Sequence, residues 1–210
     1  MKKNSNGLIT DTLGHTRCWW CGDDPLYVQY HDMEWGVPQD DDQSMFEKIV
    51  LEGFQSGLSW LTILRKRENF RRAFRDFDVE AVARFNRRSV DRLLNDAGIV
   101  RNRLKIEATI KNAGRAIELI EEFGSLAAFF RKYEPKPGSR PSRITKAFLM
   151  AHTTSTESIA LSKDLKKRGW SFVGPTTMYA HMQAMGMVND HIEGCQARKR
   201  VAQSLRKLHS

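Results

Sequence analysis

The sequence predicts an all-α protein whose two ends are joined. Apolar residues recur at helical spacing along most of the chain, and alternating strand patterns with two-residue turns are nearly absent. One Cys and one His stand near each end, Cys18 with His31 and His191 with Cys195, so that one ion held by both pairs would act as a clip. A chain of 210 residues is long enough for a single domain with a proper hydrophobic core. The expected organisation is a polar extension over 1–16, one helical domain over 17–195, and a basic tail over 196–210.

The extension is polar apart from Leu8-Ile9. No apolar stretch of about 7–15 residues follows Lys2-Lys3, so no secretory signal is visible. Phe46, Ile49, Val50, Gly53 and Phe54 mark the first clear helix by their spacing. Asp78 is a suitable N-cap for Val79-Glu80-Ala81-Val82. Ile106, Ile110, Ala113, Ile117 and Ile120 form a stripe on a longer helix, and the Pro-rich stretch 135–141 reads as a loop. Ser155 or Thr156 can cap a helix through Leu165 that Gly169 ends. Pro175 suits the first turn of a helix carrying Met178, Met182 and Met185. After Cys195 the tail, with Arg198-Lys199-Arg200 and Arg206-Lys207, reads as a frayed basic helix or a disordered segment.

Lys and Arg number 34 against 25 Asp and Glu, a net charge of +9. That balance favours a polyanionic partner, because neutralising phosphates releases counterions. No apolar run reaches the roughly 18 residues of a membrane span. Three cysteines are too few for a disulfide scaffold and suit free thiols or thiolate ligands in a reducing compartment. The expectation is a cytoplasmic protein, and since no dimerisation surface is evident, a monomer.

Cys2His2 is a common closed ligand set for zinc. His191 and Cys195 stand at i and i+4, on one helix face or across one tight turn, and Cys18 and His31 bracket a loop that a metal can close. Cys21 keeps an alternative open, because Cys18-x-x-Cys21 is itself a familiar ligand pair. The plain alternative is two buried cysteines and two hydrogen-bonded histidines. His15, His152, His181 and His209 have no such partners and read as surface or core residues.

Leu93 to Arg101 lies between two helical patterns, with Gly98 where a helix would end in a left-handed residue. The next helix opens with Arg101, Arg103 and Lys105. Amides at a helix N-terminus together with such cations would grip one phosphate backbone without reading sequence. An ordinary turn with a solvated basic face is the competing explanation.

Trp19, Trp20, Tyr27, Tyr30, Trp35 and Trp60 supply many rings near one apparent site, the kind of surface that stacks nucleobases taken out of a duplex. A filled aromatic core explains any single ring as well. Glu52 lies on the flank of its apolar stripe, four residues after Lys48. It is either a pocket carboxylate or half of a surface Lys48–Glu52 pair. Gly57-Leu58 reads as a turn whose leucine can push into a base stack, as apolar wedges do.

Taken together, several ordered segments resemble the 3-methyladenine DNA glycosylase I family. They are Asp24-Pro25-Leu26-Tyr27, Tyr30-His31-Asp32 with Glu34-Trp35-Gly36-Val37-Pro38, and Leu51-Glu52-Gly53 with Gln55 and Gly57-Leu58-Ser59-Trp60. Asp96-Ala97-Gly98-Ile99 follows, then Leu161-Ser162-Lys163 through Gly174, and Val188-Asn189-Asp190-His191 with Gly194-Cys195. The resemblance runs from about Arg17 to Cys195. It implies a helix-hairpin-helix DNA glycosylase fold with a structural zinc on Cys18, His31, His191 and Cys195, leaving Cys21 as an extra.

The resemblance further implies a base-pocket carboxylate at Glu52 and pocket rings at Trp20, Tyr27, Tyr30 and Trp60, with Trp35 in support. Tyr30 is carried with Glu52 as a catalytic candidate. Leu58 falls at the position that plugs the DNA, beside Gly57. The implied partner is alkylated double-stranded DNA, and the implied reaction is hydrolysis of the bond linking N3-methyladenine to deoxyribose after the base is flipped. No aspartate occurs between Asp96 and Asp164, so the catalytic aspartate that other helix-hairpin-helix glycosylases carry after the hairpin has no counterpart. The family resembled here lacks it too. Trp19-Trp20 leaves open which ring faces the base. The leading rival is a zinc-stabilised DNA-binding or damage-sensing module without chemistry; a basic helical RNA binder is a third reading.

Overall fold

In the computed structural model, which describes residues 2–3 and 6–208, the segment read as a polar extension opens the chain with three short strands. β1 (Lys2–Lys3), β2 (Leu8–Thr10) and β3 (Thr16–Cys18) form an antiparallel sheet in that order, with Leu8 opposite Cys18 and Ile9 opposite Arg17. Strands of two or three residues are too short to show alternation in a sequence. A side-chain turn holds them: the Asp11 carboxylate accepts from the amides of Leu13 (2.9 Å) and His15 (3.0 Å). Leu8 and Ile9, the lone apolar pair, are buried.

The helices begin where the sequence supplies caps. A short 3-10 turn (Trp19–Cys21) leads to α1 (Pro25–Met33), capped by Asp24, then α2 (Asp42–Gln55), capped by Asp41, and α3 (Trp60–Ala73), capped by Ser59. α4 (Val79–Ala83) starts at Asp78, whose side chain accepts from the Ala81 amide as expected. α5 (Arg87–Asn95) and the long α6 (Arg103–Phe123) follow, then α7 (Leu126–Arg131) and α8 (Lys146–Ala151). α9 (Thr156–Lys167) is capped by Ser155, and Gly169 beyond it is left-handed at φ +87°. α10 (Pro175–Ala184) carries Pro175 in its first turn, and α11 (Gln196–Leu208) closes the fold.

α2 packs against α3, α6, α7 and α10 and so sits at the centre. It buries every residue from Ile49 to Phe54, Glu52 included. α6 is rotated from the isoleucine stripe: Ile106, Thr109, Asn112, Ala116 and Leu119 are buried, while Ile110, Ile117 and Ile120 are half-buried on its flank. Small and polar residues face inward there because Asn112 is paired in both directions with the backbone of Ser171, at 2.9 Å each way. A second apolar cluster joins the two ends of the chain through Leu8, Cys18, Ile144, Ile192, Cys195 and Ala197. The tail is a regular helix, anchored by buried Ala197 and Val201 and by Arg198, which donates to the His191 carbonyl at 2.6 Å. No helix among the described residues is long and apolar enough to cross a membrane. His209 lies outside the described residues.

Candidate active site and metal centre

Trp20, Tyr27, Tyr30, Trp35, Glu52 and Trp60 all line one cavity of about 230 Å³. This is room for one flat ring system, below the roughly 300–1,000 Å³ of drug-sized pockets. Trp20 is the hub. Its ring lies 5.2 Å from Tyr27, 6.5 Å from Tyr30 and 4.8 Å from Trp35, and Tyr30 lies 5.4 Å from Trp60. Trp19 also lines the cavity but packs with the second apolar cluster, where Lys146 sits 5.4 Å over its ring. Gln55, Leu149, Ala180 and Gln183 complete the wall. Gln55 was legible in principle, one turn after Glu52 on the same helix face, whereas nothing in the sequence marks Leu149 of α8 or Ala180 and Gln183 of α10 as cavity residues.

Glu52 is 6 % exposed and is the one carboxylate on the cavity wall among the described residues. It is not half of a surface pair. Burial pushes its carboxyl up to about 7, against the pull of Lys48. Lys48 is half-buried; burial lowers its ammonium to about 8, and Glu52 opposes that fall. Its Nζ donates to the Tyr30 hydroxyl at 2.9 Å and lies 4.6 Å and 4.3 Å over the rings of Tyr30 and Trp60. Burial also raises the Tyr27 phenol to about 12 and the Tyr30 phenol well above its usual range, so both stay protonated.

Cys18, His31, His191 and Cys195 are all buried, and their ligand atoms lie within 4.8 Å of one another. Cys195 Sγ is 3.5 Å from both His31 Nε2 and His191 Nδ1, and Cys18 Sγ is 3.8 Å from His191 Nδ1. This cluster could hold a metal ion. Cys21 is outside it, its thiol donating to the Cys18 carbonyl at 3.2 Å. The remaining ring nitrogens are held as metal-binding histidines require: His31 Nδ1 by Asp32 (2.8 Å) and His191 Nε2 by the Trp35 carbonyl (3.0 Å). Arg17 in turn grips Asp32 through Nε at 2.8 and 3.0 Å. The other histidines stand apart: His15 and His152 are exposed, and His181 is buried against Phe130 at 4.7 Å.

Between α5 and α6 the segment 96–102 is pinned onto α3. Lys66 donates to the carbonyls of Ala97 (3.0 Å) and Gly98 (3.2 Å), and Asn69 to that of Gly98 (3.2 Å). Gly98 is not left-handed. Its need is space, because a Cβ there would meet Asp96 Oδ1 at 2.9 Å and Asn69 Cγ at 3.0 Å. The cations divide. Arg101 and Arg103 are exposed, but Lys105 is 8 % exposed and turned inward, donating to the carbonyls of Phe54 and Ser56 at 2.8 Å each. Lys105 therefore closes the C-terminus of α2, where carbonyls lack partners, and does not face a phosphate. Leu58 stands 41 % exposed beside Gly57, which is left-handed at φ +82°.

An aromatic cavity with a single acid, carried by a basic helical chain, suits the capture of a flat ring with positive charge. The profile of the methyladenine glycosylase family matches residues 20–199, and the chain belongs to that family. It is 47 % identical over 184 residues to DNA-3-methyladenine glycosylase 1 of Escherichia coli, covering 85 % of this chain and 95 % of that one. It is 44 % identical over 184 residues to DNA-3-methyladenine glycosylase of Haemophilus influenzae, covering 86 % and 96 %. The crystal structure of a 3-methyladenine DNA glycosylase I variant in complex with 3-methyladenine superposes with a TM-score of 0.80 at 33 % identity, over 85 % of this chain and 95 % of that one.

Proposed function

We propose that the chain excises 3-methyladenine from alkylated DNA by hydrolysing its glycosidic bond, as a step of base-excision repair. The observation that carries this is Glu52: a carboxylate buried in an aromatic cavity, where ionisation is unfavourable unless a cation joins it. N3-methylated adenine in DNA is such a cation. Because it leaves the sugar as a neutral molecule, no general acid is needed, which accounts for the missing aspartate after residue 96. Water supplies the hydroxyl at the sugar carbon, the bond electrons go to the base, and one proton is released.

In this reading the flipped base stacks among Trp20, Tyr27, Tyr30 and Trp60, with Trp35 behind Trp20. Cation–π contact with such rings contributes about 1–2 kcal/mol once water is excluded. Glu52 is ionised with the lesion bound and neutralises its charge. The Tyr30 hydroxyl accepts from Lys48 and so keeps its own proton for an acceptor on the base. Leu58 fills the gap left in the duplex. The 96–102 segment acts as the hairpin of a helix-hairpin-helix grip, with Arg101 and Arg103 toward the phosphates.

The four-residue cluster is read as a structural zinc site. Zn–S and Zn–N bonds of 2.3 and about 2.05 Å at a tetrahedral angle place S and N about 3.6 Å apart, close to the separations of 3.5 and 3.8 Å. Zinc bound there supplies a rigid cross-link and no chemistry. The chain's described residues, with the extension sheet and α11 packed on that cluster, act as one unit.

The test is chromatography of the bases released from methylated duplex DNA by the wild type and by Glu52→Ala. Release of 3-methyladenine by the wild type, with the variant down by at least about a hundredfold, is the expected result. A folded wild type that binds the duplex and releases nothing would favour the damage-sensing module instead.

A further inference from the structure

Among the described residues no N–H or O–H donates to the Glu52 carboxylate, and the one positive group that acts on it is Lys48, one helical turn earlier on α2. A carboxylate buried without a donor protonates unless a nearby cation holds its charge. Lys48 is placed for this, and its place is unusual. It does not line the base cavity. It lines a second cavity of about 160 Å³ on the other side of Tyr30, together with Glu34, Glu47 and Arg67. Tyr30 belongs to both walls, and the Lys48 ammonium lies over the rings of Tyr30 and Trp60.

Resting on the glycosylase reading above, we propose that Lys48 is a positioning residue that lowers the cost of charging the Glu52 carboxylate before the lesion arrives and fixes the Tyr30 hydroxyl as a donor to the base. An ammonium has three donors and no acceptor, so Tyr30 can only accept from it. The charge arrives from behind the rings, and among the described residues the cavity itself holds no cation that would compete with the lesion. The groups around Lys48 are Tyr30 from α1 and Glu34 just beyond its end, Glu47 and Glu52 from α2, Arg67 and Arg71 from α3, the latter paired with Glu47, and His181 from α10. Arg67 is engaged by Glu34 through both carboxylate oxygens, which leaves Lys48 as the cation available to Glu52. His181 is buried and neutral, its ring held well below the usual range, at about 3, by burial and by Lys48.

Removing the Lys48 charge moves the ionisation of Glu52 to higher pH. A rise of about one pH unit cuts the charged fraction about fivefold at pH 7 and by only about a tenth at pH 9. The loss is therefore a shift of the acid limb of the kcat/KM profile, which reports the free enzyme. The variants are Lys48→Met, Lys48→Gln and Lys48→Arg, assayed for 3-methyladenine release from pH 6 to 9, each checked for a cooperative thermal transition. Lys48→Met and Lys48→Gln are expected to lose about fivefold more at pH 7 than at pH 9, where only the loss of the Tyr30 contact remains, while Lys48→Arg keeps the limb in place. A loss of equal size at every pH, or no loss, overturns the proposal and leaves Lys48 a packing residue.

The carboxylate itself is read independently by carbon NMR of labelled Glu52 in wild type and Lys48→Met. Its titration moves upward in the variant if Lys48 holds the charge, and coincident curves sink the idea. This second readout also separates the two failures. A wild type that releases no base defeats the glycosylase reading, whereas the carboxylate titration still decides whether Lys48 controls Glu52.

Discussion

Replacing Glu52 by Gln is expected to stabilise the protein while disabling it, and the gain is expected to depend on pH. Burial pushes the carboxyl up from 4.5 to about 7. In the unfolded chain Glu52 ionises near 4.5; in the folded chain it resists until about 7. Stability from this group is therefore fully present at low pH, declines as pH rises through that window and stays lost above it. At about 1.4 kcal/mol for each tenfold change, the ionised form is disfavoured by about 3 kcal/mol at pH 8. Gln removes that burden but leaves Lys48 without its carboxylate, which returns part of the gain. About 2 kcal/mol at pH 8 is expected, equivalent to a Tm rise of about 4–8 °C for a chain of this size. At pH 5 the difference shrinks below about 1 kcal/mol, because the wild-type group is then mostly neutral when folded. The assay is differential scanning calorimetry of both proteins from pH 5 to 8, beside base release. A stability difference that is flat with pH, or a wild type more stable than Glu52→Gln at pH 8, would refute the view of Glu52 as a strained functional group.

Four further outcomes follow from the same geometry. Lys105→Met orphans the carbonyls of Phe54 and Ser56 and should cost about 2 kcal/mol in urea denaturation without changing the salt dependence of DNA binding; Arg101→Ala should do the reverse, lowering the log–log salt slope by about 1. Leu58→Ala, at an exposed turn, should leave stability within about 0.5 kcal/mol yet slow base release from duplex DNA more than from single strands, and equal slowing on both would remove the plug role. Stripping metal with a chelator should release one zinc per chain by elemental analysis and lower Tm by on the order of 10 °C, since structural zinc contributes so much folding free energy; full stability without metal would make the cluster a hydrogen-bonded core.

What the sequence disclosed was chemistry fixed by spacing. The helix caps at Asp78 and Ser155 and the first-turn Pro175 were legible because each acts within one turn of its own position. The four-ligand set was legible as residue types but not as a set, since nothing in one dimension excludes Cys21; the fold excludes it by turning that thiol onto the Cys18 carbonyl. Lys105 misled because a basic residue at a helix start is ordinarily solvated, and only the approach of the α2 C-terminus makes its inward turn favourable. Gly98 misled for a related reason: glycine signals either a left-handed backbone or close approach, and the neighbour that demands approach, Asn69, lies 29 positions away. For Lys48 the sequence leaves both sides open, because a Lys–Glu pair one turn apart looks the same in water and in a core.

The Cys/His cluster and the aromatic cavity are adjacent in the chain. Trp20 follows Cys18 by two positions, and Tyr30 immediately precedes His31. The Trp20 ring lies 5.0 Å from His31 as well as against the pocket rings. The carbonyl of Trp35, another pocket ring, holds His191. With a metal in the cluster, each ligand would fix the backbone beside a ring that, in the proposed reading, meets the base at stacking distance. In that reading a clip between residues so distant in sequence would serve the pocket. A disorder of about 1 Å in the rings would forfeit much of their contact with a flat ligand, and α1 alone, nine residues long, has too little buried surface to prevent it. The β1–β3 sheet strengthens the same point. It brings Leu8 opposite Cys18 and lets Arg17 hold Asp32, which holds His31, so the extension braces the ligands that brace the pocket.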